Sequence, residues 1–356
     1  LMMLPLDRSR PLWEMHVLGG AQGGRTAVLQ KVHHCMIDGV AGVHLLEDLF
    51  RAKATARPAR AAIRAVPPPL PGPRARLERA VSTNLTCAAA ALGRAARSLA
   101  SPSAARGAAP ALRGAYDFAR KLAAKGVPEL PWNAEVGCRR RVALTRLPFE
   151  GVGRVRASHG GTVNDVGLAW LAGGLRRYLK ASGHPTTGFE PTALVPVNLR
   201  APGEGAALGN RISAMLVPLD VASLDDLPRL GRTRAISERL KTREAWTAID
   251  AILTALEGLP APVVALLARG LQPHRLANVI ATNVRGPGET RYLGRSRVEA
   301  LYPIVPLVDG IGLSLAVFSY DGWLHVGLTA DADLIPDLAK LLQGIEDAFS
   351  QLVQRT

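Results

Sequence analysis

The chain has three cysteines in 356 residues, Cys35, Cys87 and Cys138. So sparse and odd a set offers no disulfide framework and fits a reducing compartment. Aromatic residues make up only 4% of the chain. No basic run is interleaved with stacking side chains, which argues against a nucleic-acid partner. Long apolar runs are also absent. A membrane span needs about 18 such residues, and the most apolar stretch, Ile252 to Leu271, is broken by Glu257, Pro260, Pro262 and Arg269. The opening residues do not read as a signal peptide. These absences together predict a cytoplasmic protein, soluble or peripheral at a membrane. No phosphate-cradling glycine loop is present either, since Gly19-Gly20 and Gly23-Gly24 bracket a turn between two strands.

Hydrophobic residues make up 48% of the chain, ample for a core, and the length favours two domains or lobes. The net charge of +15 is carried mostly by arginine. Such a balance suits an acidic membrane surface or a cofactor phosphate. A GC-rich coding sequence, which also enriches Ala, Gly and Pro, would produce it without any specific partner.

The chain changes character twice. Residues 1–50 are compact and patterned. From Arg51 to about Leu130 the sequence is rich in Ala, Arg and Pro, with a Val66-Pro67-Pro68-Pro69-Leu70-Pro71-Gly72-Pro73 break. Helical pieces are expected at 77–99 and 111–125, and the remainder reads as a crossover linker with some disorder. From Arg139 the pattern tightens: a strand at 141–147, then a helix opened by Thr162-Val163-Asn164-Asp165 that ends at Gly183. Strands at 192–199 and 211–219 and a helix at 224–240 follow. A hairpin of 312–320 and 323–330 surrounds Asp321-Gly322, a strong two-residue turn signal, and a final helix covers 335–352. This mixture predicts an α/β fold, a mixed sandwich rather than a doubly wound parallel sheet.

The densest chemistry lies in His33-His34-Cys35-Met36-Ile37-Asp38-Gly39. It follows an alternating apolar strand (Ala27 to Val32) and precedes Val40, Val43, Leu46 and Phe50 at helical spacing. Asp38 is placed to cap that helix, and Gly39 permits the bend. Two adjacent histidines ending a strand point to opposite faces, so one can enter a cleft while the other packs inward. A neutral imidazole titrating near pH ~6.5 can take a proton from a hydroxyl. A zinc site would need further ligands at set spacing, with His44 ten residues away, and no metal is expected. A nucleophilic Cys35 would face away from His34 in a continuing strand. The competing reading is a pair of partly buried structural histidines.

HHCMIDG matches the HHxxxDG signature of the CoA-dependent acyltransferase superfamily, shared by chloramphenicol acetyltransferase and peptide-synthetase condensation domains. Around it stand Pro5-Leu6-Asp7-Arg8-Ser9-Arg10-Pro11-Leu12-Trp13-Glu14, TVNDV at 162–166, PVNLR at 196–200 and Gly209-Asn210. Thr282-Asn283-Val284-Arg285-Gly286-Pro287 and the GLTAD ending at Asp331 complete the set. Taken in order, these blocks resemble the bacterial wax ester synthase/acyl-CoA:diacylglycerol acyltransferase family, most weakly across 51–130.

The resemblance implies two chloramphenicol-acetyltransferase-like lobes with the motif at their interface and a tunnel through it. Residues 1–55 would be the remainder of an N-terminal lobe, 56–135 a partly helical or disordered linker, and 136–356 the C-terminal lobe. Relatives carry a further segment before the PLDRSRPLWE block, so the first lobe is expected to be incomplete. The implied reaction joins acyl-CoA and an alcohol into an ester and free CoA, with no cofactor beyond acyl-CoA as co-substrate. His34 would be the general base, with His33 structural and Gly39 the motif turn. Asp38 would form a structural ion pair with Arg200. Thr282 or Asn283 is the candidate oxyanion donor, although Asn283 could simply cap the turn after it, and Asn164, beside Asp165, could serve only to cap its helix. Arg285 replaces the proline of the usual SNVPGP block and is a candidate for a CoA phosphate. Diacylglycerol is the expected acceptor and a long-chain alcohol the alternative. Condensation-type transfer and a non-catalytic lipid-binding paralogue compete with both. The insolubility of these lipids implies a peripheral position on the inner face of the plasma membrane or on a lipid inclusion, with the basic linker in contact or serving as a solvated tether.

Overall fold

The structure is a computed structural model that describes residues 1–55, 71–100, 126–198, 212–240, 263–266 and 275–356. The helix expected at 111–125, the proline-rich part of the linker at 56–70, Gly209-Asn210 and Arg200 lie outside the described residues.

A hairpin comes first, β1 (Trp13–Ala21) and β2 (Arg25–Val32), antiparallel with Trp13 opposite Val32. Helix α1 (Gly39–Leu49) follows, then α2 (Pro73–Ala100). The main body is a six-stranded sheet in the order β3 (Arg140–Pro148), β10 (Trp323–Asp331), β9 (Leu313–Tyr320), β6 (Val279–Arg285), β4 (Thr192–Asn198), β5 (Ile212–Pro218). β6 runs parallel to both β4 and β9, while the outer pairings are antiparallel, so the sheet is mixed as expected. A minor ladder joins β7 (Tyr292–Leu293) and β8 (Ser296–Arg297).

Helices α3 (Phe149–His159), α4 (Val163–Ala181), α5 (Asp226–Leu240) and α6 (Leu338–Gln354) complete the described elements. Their apolar stripes explain their placement. In α6, Leu338, Leu341, Ile345, Ala348 and Leu352 recur at helical spacing and are all buried. They meet Leu168, Leu171, Leu175 and Leu179 of α4, and both helices cover the sheet face carrying Leu315, Val317, Leu324, Val326 and Leu328. Each such side chain contributes about 1.5–3 kcal/mol by leaving water. Trp170 of α4 meets Phe349 of α6 edge to face, with ring centroids 5.4 Å apart.

α4 and α6 cross closely because glycines face each other. A Cβ on Gly174 would lie 2.4 Å from Ile345 Cγ1 and 3.0 Å from the Ile345 backbone nitrogen. Gly174→Ala is therefore expected to force the helices apart and cost about 1–3 kcal/mol, read as a lower thermal midpoint. An unchanged midpoint would show that the crossing relaxes freely.

The opposite sheet face carries His325, Gly327 and Thr329 of β10 and Ser314 of β9, and residues 298–311 cross over it. Ser314 Oγ donates to the Val305 carbonyl at 3.0 Å. The Pro303 carbonyl oxygen would sit only 1.9 Å from a Cβ on Gly327. A second, smaller apolar cluster of Ala277, Ile280 and Ile311 lies on this side.

Helix α3 was not anticipated from the sequence. It starts immediately after β3, has Pro148 at its N-cap with no side-chain capping bond, and contains Gly151 and Gly153. A weak cap and two glycines blur its periodicity. It forms because Val152 and Val155 bury completely in the main core and because Gly151 lets Phe349 approach.

Candidate functional site

The HHxxxDG segment departs from the extended geometry expected for it. β2 ends at Val32, and His34, Cys35 and Met36 form a turn. The two histidines are therefore separated by the turn and not by strand alternation. His33 is half-buried and tied in three ways. Its backbone N–H donates to the Leu12 carbonyl at 2.9 Å, its carbonyl accepts from Met36 N–H at 3.0 Å, and its ring Nδ1 accepts from Cys35 N–H at 3.2 Å. His34 and Cys35 are exposed. His33 is thus the more buried of the two and is bonded within the loop, while His34 is the more exposed.

Asp38 is 3% exposed and caps α1, its Oδ1 accepting from Ala41 N–H at 2.9 Å. Arg200 lies outside the described residues, so the Asp38–Arg200 pair stays a proposal. Gly39 also meets a packing constraint: a Cβ there would lie 2.9 Å from Val284 Cγ2. The lack of a side chain lets the start of α1 sit directly on β6.

That contact orders the remaining candidates. Along β6, Val279 and Ala281 belong to the core beneath the helices, and Ile280 to the cluster on the other face. Strand alternation therefore puts Thr282 and Val284 on the α1 side and Asn283 on the α4 side. Asn164, Gly167 and Trp170 of α4 join Ala281, Thr282 and Asn283 of β6 and Leu315 and Val317 of β9 around a small cleft of about 10 Å³, room for about one water. Three residues singled out from the sequence, Asn164, Thr282 and Asn283, thus share one cleft. Asn164 does not cap α4. That function belongs to Thr162, whose Oγ1 accepts from Asp165 N–H at 3.2 Å while Asp165 Oδ2 accepts from Thr162 N–H at 2.8 Å, a reciprocal capping box. Asp165 is buried by this function, and Asn164 is left on the cleft wall.

Arg285 is exposed at the end of β6. The turn after it is tight: Gly286 N–H donates to Ser319 Oγ at 3.2 Å, and a Cβ on Gly286 would fall 2.2 Å from Phe318 Cε1. Glycine is required there by packing. Among the described residues there is no cluster of three or more His, Cys, Asp or Glu arranged to hold a metal ion.

Two residues that the sequence did not flag clamp the far end of α1. Arg291 Nη2 donates to Glu47 Oε1 at 3.0 Å, an ion pair spanning 244 residues of sequence. Arg51 and Tyr292 then exchange backbone hydrogen bonds of 2.9 and 2.8 Å. Arg291 is itself anchored, since its N–H donates to Tyr320 Oη at 2.8 Å and that hydroxyl donates to the Val298 carbonyl at 2.7 Å. If the pair holds α1 in register with β6, Arg291→Ala should lower kcat several-fold and stability by about 1 kcal/mol. The double variant Glu47→Arg/Arg291→Glu should regain part of the loss in kcat. A swap no better than the single variant removes the positioning role.

Comparison with known proteins assigns the chain to a family. Residues 1–167 match the wax ester synthase/diacylglycerol acyltransferase catalytic domain and residues 208–353 the C-terminal domain of the same family. A Mycobacterium tuberculosis protein named as a diacylglycerol O-acyltransferase is 30% identical over 365 positions, covering 99% of this chain and 74% of its own. A second M. tuberculosis protein of that name is 32% identical over 368 positions, covering 98% and 74%. Among solved structures, the wax ester synthase/diacylglycerol acyltransferase of Marinobacter aquaeolei superposes with a TM-score of 0.66 at 23% identity, over 99% of this chain and 73% of that one. The epimerization domain of the third module of tyrocidine synthetase B gives 0.54 at 15% identity, over 97% and 73%. The shared fold extends to peptide-synthetase domains, whereas the sequence match is to one family. The chain is a member of the wax ester synthase/diacylglycerol acyltransferase family of acyltransferases.

Proposed function

We propose that the protein transfers a fatty acyl group from acyl-CoA to the free hydroxyl of diacylglycerol, with His34 as general base. The acceptor oxygen attacks the thioester carbonyl as the imidazole takes its proton. The tetrahedral intermediate collapses, the C–S bond breaks, and the imidazolium returns the proton to the departing thiolate. The products are triacylglycerol and free CoA. Asn283 or Thr282 is assigned the hydrogen bond to the transient oxyanion, Asp38 and Arg200 the ion pair that steadies the loop, and Arg285 a CoA phosphate.

The observation that carries this reading is the loop itself. It ties one histidine by three hydrogen bonds and leaves the other exposed, just before a helix whose first residue rests on Val284 of β6, the strand that carries Thr282 and Asn283. Diacylglycerol is favoured over a long-chain alcohol by the names of the mycobacterial relatives, which match this chain at 30–32% identity.

The test is incubation of the full chain with labelled acyl-CoA and either diacylglycerol or hexadecanol, followed by thin-layer chromatography. Label should appear in triacylglycerol. Label in wax ester alone would reassign the acceptor, and label in neither would overturn the reading.

A further inference from the structure

We propose that the cleft between α4 and β6 is a binding site for one ordered water, and that this water, held by the indole N–H of Trp170, positions the Asn283 carboxamide. The starting point is an unmet hydrogen bond. Among the described residues two tryptophans are fully buried, Trp132 and Trp170. Trp132 Nε1 donates to the Asn278 carbonyl at 2.8 Å, as a buried indole ordinarily does for some acceptor. Trp170 Nε1 is shielded from solvent and has no acceptor among the described residues. An N–H taken out of water and left bare is costly.

The sequence of α4 shapes the place for its partner. Asn164, Gly167 and Trp170 follow at three-residue steps and so share one side of the helix. Asn164 is half-buried near the helix start, and Trp170 lies at the inner end. Gly167 between them has no side chain to close the gap. A Cβ there would meet only Trp170 Cζ2, at 3.8 Å, and Cζ2 is bonded to the ring carbon that carries Nε1. The N–H edge of the indole therefore borders the space that Gly167 leaves open, and Phe349, edge-on at 5.4 Å, holds the ring there. That space admits about one water.

Its other polar walls are Asn164 and, from β6, Asn283, which strand alternation turns toward α4. A water accepting from Trp170 keeps two O–H donors, which suit the carboxamide oxygens of Asn164 and Asn283. With its Oδ1 engaged inward, Asn283 turns Nδ2 to the mouth of the cleft, where the residue is exposed. An amide fixed in that sense donates to an oxyanion without reorienting. This last step rests on the oxyanion function proposed above for Asn283, whereas the water site does not.

The test uses the full chain, isotopically labelled at tryptophan nitrogen, in nuclear magnetic resonance. The Trp170 indole resonance, identified by its loss in Trp170→Phe, should show a cross-peak to a long-lived water. Gly167→Ala should abolish that cross-peak by filling the cleft, and it carries the test if Trp170→Phe does not fold. Both variants should lower kcat about ten-fold with KM for acyl-CoA unchanged, which corresponds to about 1.4 kcal/mol for one aligned hydrogen bond. Gly167→Ala should at the same time raise the thermal midpoint, because alanine suits a helix interior better than glycine. Loss of rate with a gain of stability separates the water from the fold. Combined with Asn283→Ala, either change should cost nothing further, since no amide is left to orient. Absence of the cross-peak in the wild type would overturn the site, and losses that add to that of Asn283→Ala would overturn the positioning. If the cross-peak is present and Asn283→Ala transfers at the wild-type rate, the oxyanion reading fails and the water site stands.

Discussion

His34→Ala is expected to reduce acyl transfer by about 10²–10⁴-fold, the usual contribution of a positioned general base. The fold should be retained, because His34 is exposed in a turn. His33→Ala should behave differently. It removes the ring nitrogen that accepts Cys35 N–H, so its loss should appear in the thermal midpoint as well as in activity. Measuring CoA release and melting for both variants separates the two histidines. Equal activity of His34→Ala and wild type would remove the base from the mechanism. Equal behaviour of the two variants would mean that the loop does not distinguish them.

The second large effect is on stability and comes from His325. Its side chain is fully buried on β10 beneath the 298–311 segment. Tyr302 stands edge-on at 5.0 Å and Tyr320 lies tilted at 6.0 Å. Neither ring nitrogen makes a hydrogen bond of good geometry among the described residues. Burial pushes the imidazole down to about 4, with the nearby Arg146 cation adding to it, against the opposing pull of the Tyr320 backbone and, more weakly, of Asp321.

The unfolded chain takes up a proton near pH ~6.5, whereas the folded one holds the ring neutral until about 4. Between these values the unfolded state binds more protons, so stability falls as pH is lowered through the window, by about 3 kcal/mol in total at 1.36 kcal/mol per unit. Below it both states are protonated, and this group adds no further loss. His325→Leu should flatten that part of the pH–stability curve. It should also be neutral or stabilising at pH 7, because two buried nitrogens without well-formed hydrogen bonds are removed. Chemical denaturation of both proteins at pH 4.5 and 7 is the measurement, and parallel curves would exclude His325 as the group responsible.

Much of this molecule was legible in local pattern. The Asp321-Gly322 turn has both residues at positive φ, 48° and 80°, which is what a two-residue hairpin demands of its loop. Asp38 caps α1 as its place before the apolar helix predicted. TVND opens α4, although the cap is Thr162 with Asp165, and Asn164 is thereby left for the cleft. These features depend on neighbours within about four residues, where propensity and hydrogen-bond geometry act directly.

Other features depended on contacts made across the chain. The end of β2 at Val32, which leaves His34 exposed in a turn, is set where the chain must leave the hairpin, and no alternation rule marks that point. Gly39 read as a bend residue, yet its smallness serves the approach to Val284, 245 positions further on. Nothing near Glu47 or Arg291 in sequence announces their ion pair. His325 lies in an ordinary-looking strand and becomes a buried ring without well-formed hydrogen bonds only when residues 298–311 fold over it. Sequence by itself determined the elements, their caps and turns, and the family whose motifs they carry. Tertiary structure alone decided which faces meet, which histidine is presented, and which polar groups lose water, because burial and long-range pairing arise only once distant segments are brought together.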